Sequence, residues 1–533
     1  MAKKLSERKK RWIERTVCNN RSYKLYLYNR FFLFLLLVLA QIAGYTVLWY
    51  LFVYESVVGV WAQFATSVLT WVVILRLINK HGKSSLKLNW ILLILIAPIF
   101  GVPSYLLYGE GRPTRKLSKK IQNAHEQNEN VIREVYGERE QIAVKERTQS
   151  LGKYLQDFVG YPLFHDGEIN YYAEGQAMFP EMLAELRKAE KYILVEYFII
   201  AHGKMWNEIL KILIEKAALG VQVRIIYDNF GCMMTLPPKY DRYLESLHEN
   251  IRCMTFNNVV PVFAVRMNNR DHRKILVVDG RVAFTGGLNI ADEYINEIRR
   301  FGYWKDTGVK ITGGAVSSFV KMFFTIWNAF RQDKEDLNTY LPPINEEKTA
   351  KNDMVIQPYD DSPFDGISVG KTVYLDMIHS ATKYVYIFTP YLILDDEMRS
   401  ALCLAALRGV EVRIVTPGIP DKKTVYRLTR ANYSTLMKAG VKIYEYTPGF
   451  IHAKSMLCDD ERAVVGTINL DYRSLYLHFE NAVYFKNCAA IADLKRDCED
   501  TFSISTLCTP ENTKRNIFCR ARDSFLRLFE TLL

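Results

Sequence analysis

The sequence predicts an α/β protein of two repeated halves that share one active site, preceded by N-terminal transmembrane helices. Three observations predict this. The spacing His-x-Lys-x4-Asp occurs twice, as His272, Lys274, Asp279 and as His452, Lys454, Asp459. Each copy is followed at matching offsets by a Gly (Gly286, Gly466) and an Asn (Asn289, Asn469). A second repeat, Gly-Val-x-Val-Arg-Ile, stands at 220–225 and 409–414, ahead of each His motif in the same order. Three long runs without a formal charge lie between Arg30 and Glu110. At 533 residues the chain exceeds one ordinary core, so several domains are expected.

Residues 1–30 form a basic N-terminus, rich in Lys and Arg against Glu7 and Glu14, in a chain of net charge +12. Net charge alone selects no partner, but its placement beside an apolar run reads as a cytoplasmic flank. The block lacks the interleaved aromatics of a base-stacking surface, so no nucleic-acid partner is expected. The membrane region, 31–109, is read as segments at about 31–54, 56–78 and 88–108. The first, as a helix, reaches ~36 Å against a hydrocarbon core of ~30 Å. A second apolar run follows at once, which excludes a cleaved signal peptide. Basic clusters at 1–30, Arg76–Lys87 and Arg112–Lys120 all favour the cytoplasmic side. Pro98, Gly101 and Pro103 interrupt the third segment, so it is read as re-entrant, with three ordinary spans as the alternative. The expectation is a multi-pass cell-membrane protein whose catalytic domain faces the cytoplasm. The nine cysteines are scattered without a C-x2-C pair, consistent with reduced thiols and giving no zinc site.

Residues 110–150 are polar and read as a linker. The first half, 151–340, opens with a β-rich run at 192–200, a helical stretch at 206–219 and a second run, VQVRIIYD. A polar joint at 341–368 leads to the second half, 369–533, where YVYIFTP, a helix at 396–407 and VEVRIVTPG repeat the order. Strand–helix–strand units imply parallel pairing in a covered sheet. The stretch 514–533 is amphipathic; it suits packing on the fold or contact with anionic lipid.

In HRKILVVD and HAKSMLCD the apolar residues suggest a strand, on which His and Lys two apart share a face. Asp279 and Asp459, at an odd offset next to a turn, belong to the catalytic motif as braces of its geometry. Docking the halves brings together His272, Lys274, His452 and Lys454, with Asn289 and Asn469 as substrate-binding amides. A phosphodiester needs positive charge and donors around its oxygens in the transition state, which these groups supply without a metal or other cofactor. One neutral imidazole can attack phosphorus, and the other, protonated, can serve the leaving oxygen.

Both motifs resemble those of the phospholipase D superfamily. The resemblance extends to GGLNIADEY (286–294), YWKDTG (303–308), GTINLDYRS (466–474), FEN (479–481), VEYFII, KAALGVQVRIIYDNFG and WILLILIAPIFGVPSYLLYG. It is similar to the bacterial cardiolipin synthase family over nearly the whole chain; Thr467 stands where that family often has Ser. The resemblance implies two phospholipase D-like α/β halves and transfer of a phosphatidyl group between two phosphatidylglycerol molecules, giving cardiolipin and glycerol. It implies membrane lipid as partner, His272 as nucleophile and His452 as general acid/base, with the reverse assignment open. It also implies that Asp306 and Glu480 orient the imidazoles from a second layer. A phospholipase D hydrolase, another phosphatidyltransferase and a non-catalytic membrane scaffold are the alternatives.

Overall fold

The computed structural model describes residues 57–80, 84–96, 115–136, 150–257, 269–342, 353–514 and 516–527, with a few single positions between 42 and 106. The chain divides into two compact units, 1–116 with 259–267 and 117–258 with 268–533.

In the first unit the helices Val57–Asn79 and Ser84–Ile96 pack on each other around Val73, Ile74, Leu77 and Ile94. Lys87 Nζ donates to the Ile78 carbonyl at 3.1 Å. Among the described residues no helix is long and apolar enough to cross a membrane. This corrects the expected transmembrane helices, and the multi-pass cell-membrane localisation with a cytoplasmic catalytic domain falls with them. The helix Val57–Asn79 carries Gln63, Thr66, Ser67 and Thr70 along its length and Arg76 in its last turn. The helix Ser84–Ile96 has only 13 residues, and Pro98 follows it; at 1.5 Å per residue it reaches ~20 Å. The expected segment at 31–54 lies almost wholly outside the described residues.

In the second unit the stretch expected as a linker includes the helix Arg115–Tyr136. Its Ile121, Ala124 and Ile132 are buried in the main core, and Asn128 donates to Thr325 Oγ1 at 3.2 Å. The first half then contributes β1 (Ile169–Tyr172), β2 (Tyr192–Tyr197), β3 (Gln222–Asp228), β4 (Ile251–Phe256), β5 (Lys274–Val278), β6 (Val282–Gly286), β7 (Tyr303–Lys305) and β8 (Gly308–Thr312). The second contributes β9 (Val355–Asp361), β10 (Tyr384–Phe388), β11 (Glu411–Pro417), β12 (Lys442–Tyr446), β13 (Gly449–Ile451), β14 (Ser455–Cys458), β15 (Arg462–Gly466), β16 (Glu480–Lys486) and β17 (Thr506–Leu507).

The sheet orders are β1-β8-β6-β5-β2-β3-β4 and β17-β12-β11-β10-β14-β15-β16-β9, the same arrangement with one extra edge strand in the second. Parallel pairing is confined within these sheets to β2-β3-β4 and β10-β11-β12, where helices Lys204–Ala218 and Asp396–Leu407 make the first crossovers and Tyr240–Glu245 and Lys423–Lys438 the second. The motif strands β5 and β14 instead run antiparallel to β2 and β10, with Lys274 opposite Tyr197. That direction places each histidine at the edge where the parallel strands end. Both motif strands are buried along their length, which suits their nearly unbroken apolar sequence.

The halves share one core. Ile275, Val277 and Val309 of the first and Ile356, Tyr359 and Val464 of the second join it, together with the helix Val316–Phe330, nearly all of whose residues are buried. At the C-terminus the helix Ile517–Arg527 lies against the helix Lys423–Lys438, and Arg527 donates to the Ala431 carbonyl at 2.9 Å.

Candidate active site

Two short cross-half pairings build the site. β13 runs parallel to β7, with Ile451 opposite Lys305, and Asp271 bridges Phe479 in the same sense. The residue before each histidine therefore lies beside the residue before an acid of the opposite half. His452 N donates to the Lys305 carbonyl at 2.7 Å and His272 N to the Phe479 carbonyl at 2.9 Å.

The pairing is crossed at the side chains too. His272 Nδ1 lies 2.8 Å from Glu480 Oε2, and His452 Nδ1 lies 2.6 Å from Asp306 Oδ2. Each imidazole is thus held by a carboxylate of the other half. An ionised carboxylate only accepts hydrogen bonds, so Nδ1 carries the hydrogen and Nε2 keeps a free lone pair. Burial pushes the His272 imidazole well below its ordinary value and His452 down to about 4. Burial opposes ionisation of Glu480, but the His272 contact and neighbouring donors hold its carboxyl below the usual range. The direction for the pair is a neutral imidazole on an ionised carboxylate.

Lys274 and Lys454 are buried, and each ammonium donates to the main-chain carbonyl of its own motif histidine, Lys274 at 2.6 Å. Burial lowers Lys274 to about 8 and Lys454 to about 7. Lys274 acts electrostatically on His452, and Lys454 feels both Asp306 and Glu480, so the four motif groups occupy one electrostatic site. Among the described residues, one potential ligand atom each of His272, His478 and Glu480 lie within 4.8 Å of one another.

Asp279 and Asp459 sit at the other ends of β5 and β14, both in the left-handed region at φ 55° and 57°. Asp tolerates that conformation better than most residues. Asp279 accepts from the amides of Glu190, Lys191 and Tyr192, and Asp459 from those of Thr382, Lys383 and Tyr384 and from the Thr382 hydroxyl. Each ties its motif strand to the start of the neighbouring parallel strand, away from the histidines. Asp459→Ala should cost roughly 1–3 kcal/mol of stability while the folded fraction keeps its turnover rate. Thermal melts paired with activity per folded molecule check this.

Both Asn amides donate inside the protein, while Asn469 Oδ1 is buried without a hydrogen bond. Asn289 accepts from the Ile199 amide at 3.0 Å and donates to Tyr294 Oη at 2.6 Å. Asn469 donates to Ser474 Oγ at 3.0 Å, five residues on, as in the first half. The histidines are walled by aromatic rings, Phe198 on His272 and Tyr294 and Trp304 on His452. His478, which the repeat does not single out, stands beside His272 with ring centroids 5.5 Å apart.

The buried imidazoles make stability depend on acid. The unfolded chain takes up these protons near the ordinary 6.5, whereas folded His452 does so only near 4. A depressed pKa gives a contribution that is whole above the unfolded value and is lost as pH falls through the folded one. Melting temperature should therefore fall as pH drops from about 7 through about 4, and His452→Asn should reduce that fall.

A family model described as cardiolipin synthase, PLD-like domain, matches residues 182–300 and 374–501, and one described as Phospholipase_D-nuclease N-terminal matches 67–110. A Streptococcus mutans protein described as uncharacterized is 45% identical over 435 residues, covering 81% of this chain and 93% of its own. A cardiolipin synthase of Alkalihalophilus pseudofirmus is 35% identical over 443 residues, covering 81% of this chain and 86% of its own. The crystal structure of a phosphatidylserine synthase from Haemophilus influenzae covers 72% of this chain and 100% of its own, with TM-score 0.54 at 16% identity, a likeness of fold alone. Fold and site are those of a phospholipase D-type enzyme. Within that superfamily, the chain belongs to the cardiolipin synthase family.

Proposed function

We propose that the protein makes cardiolipin from two phosphatidylglycerol molecules through a phosphohistidine intermediate. The observation that carries the chemistry is the crossed pairing of His272 with Glu480 and His452 with Asp306. It supports two imidazoles that both present Nε2 to one site, the pair a double displacement needs.

His272 Nε2 attacks phosphorus of the first phosphatidylglycerol, and the bond from phosphorus to the glycerol headgroup oxygen breaks. Protonated His452 gives its Nε2 proton to that oxygen, and glycerol leaves. The bound phosphodiester anion and Asp306 favour the protonated form of His452, offsetting the burial that keeps it neutral without substrate. Lys274 and Lys454 stabilise the charge on the phosphoryl oxygens. In the second step His452 takes the proton of a free glycerol hydroxyl on the second phosphatidylglycerol as its oxygen attacks phosphorus. The phosphorus–nitrogen bond breaks and His272 is restored. The choice of a lipid acceptor over water rests on kinship with the cardiolipin synthase of Alkalihalophilus pseudofirmus.

Incubation of the protein in vesicles with phosphatidylglycerol labelled in its headgroup glycerol and acyl chains, followed by lipid separation, tests this reading. Cardiolipin and free glycerol are expected. Phosphatidic acid and glycerol would assign a hydrolase, and no turnover with both histidines intact would remove the enzymatic reading.

A further inference from the structure

The two halves match closely around their histidines, and this exposes one place where they do not. Asp306 and Glu480 are equivalent, so the residues two before them, Trp304 and His478, occupy matching seats. Each lays a ring beside a motif histidine: Trp304 against His452 at 5.5 Å with a 45° tilt, and His478 against His272 at 5.5 Å with a 40° tilt. One seat holds an indole and the other an imidazole that can donate toward the shared carboxylate.

The carboxylates are furnished differently as well. Glu480 Oε2 accepts from His272 Nδ1 and from the Thr467 hydroxyl. The position equivalent to Thr467 is Gly287, where a Cβ would lie 2.0 Å from Asp306 Oδ1, so no hydroxyl fits there. Glu480 Oε1 is buried without a hydrogen bond, and so is His478 Nδ1, and the two lie 3.5 Å apart. A shift of about half an ångström joins them in a hydrogen bond of ordinary length. Two buried polar atoms facing each other unpaired are costly unless some state pairs them.

We propose that His478 is a positioning residue: through Nδ1 it donates to Glu480 Oε1 and fixes the carboxylate that holds His272, which commits His272 to the nucleophilic step. This rests on the phosphohistidine reading above. When His272 Nε2 bonds to phosphorus its ring becomes cationic, and the Glu480 carboxylate must stay ionised and in place opposite Nδ1. Three donors hold it so: His272, Thr467 and His478. Asp306 accepts from His452 and from the Thr307 amide, with only the Trp304 indole in the matching seat. The asymmetry suits a nucleophile in the first half and an acid/base in the second.

The titratable groups acting on His272 are Glu480, Lys274 and His478, while His478 also faces Asp471. His478→Phe keeps a ring without a donor, and His478→Asn keeps a donor near the Nδ1 position. In rapid-quench experiments with labelled phosphatidylglycerol, His478→Phe should form the phosphoenzyme about tenfold more slowly with KM little changed, and His478→Asn should recover most of the rate. In substrate-free protein labelled with 15N-histidine, His478→Phe should raise the pH at which His272 titrates and leave His452 in place. His478→Met substitutes should the Phe variant fail to fold. Wild-type rates and an unchanged His272 titration in His478→Phe overturn the proposal, as does equal impairment of the Phe and Asn variants. If wild type itself forms no phosphoenzyme and no cardiolipin, the proposed function fails, while the spectra still decide whether His478 acts on His272.

Discussion

Replacing His272 or His452 by Asn lowers phosphatidyl transfer by about 10⁴-fold each, and the double variant is scarcely worse than either single one. Both imidazoles serve the same two steps, so removing one leaves the other without a task, and the losses do not add. The variants differ in what they accumulate. His452→Asn retains the neutral His272 Nε2 and its Glu480 contact, so with substrate it traps the phosphatidyl group on His272, slowly, for want of an acid. His272→Asn traps none. An acid-labile phosphatidyl adduct mapped by mass spectrometry to His452 instead would reverse the assignment of the two histidines.

The second large effect belongs to the crossed carboxylates. Glu480→Gln and Asp306→Asn keep shape but replace an acceptor with an amide that can present a donor to Nδ1. Facing a donor, the imidazole turns its lone pair to Nδ1 and loses it at Nε2. We expect kcat to fall by about 10²–10⁴-fold in each, with KM changed by less than about threefold. Glu480→Gln should slow formation of the phosphoenzyme, whereas Asp306→Asn should slow departure of glycerol and attack by the second lipid. A deep fall in KM-dependent terms alone would point to substrate binding instead.

The repeat made the halves and the His–Lys faces legible because matched offsets survive in a linear sequence. It also separated Asp279 and Asp459 from the reacting face by strand parity, and both lie at the far strand ends gripping backbone amides. The crossed pairing was not legible: a spacing within one half says nothing about which carboxylate the other half supplies. The two Asn residues share a fixed offset, and each amide donates to the side chain five residues on, Tyr294 and Ser474. His478 has a matching seat but not a matching residue, so a search for identity passes over it. Parallel pairing was read from the strand–helix–strand units, yet the motif strands enter antiparallel, because their connection is not such a unit. The transmembrane expectation read three uncharged apolar runs by length; among the described residues no helix is long and apolar enough to cross a membrane, and the run at 31–54 lies almost wholly outside them.

The central claim is that one histidine carries the phosphatidyl group between two in-line displacements at phosphorus. Each displacement inverts the phosphorus, so two of them return its original configuration. The most direct measurement is the stereochemical course with phosphatidylglycerol made chiral at phosphorus by isotopic oxygen, read in the cardiolipin product. Net retention is the predicted result. Net inversion would mean direct transfer between the lipids and would contradict a covalent intermediate on either histidine.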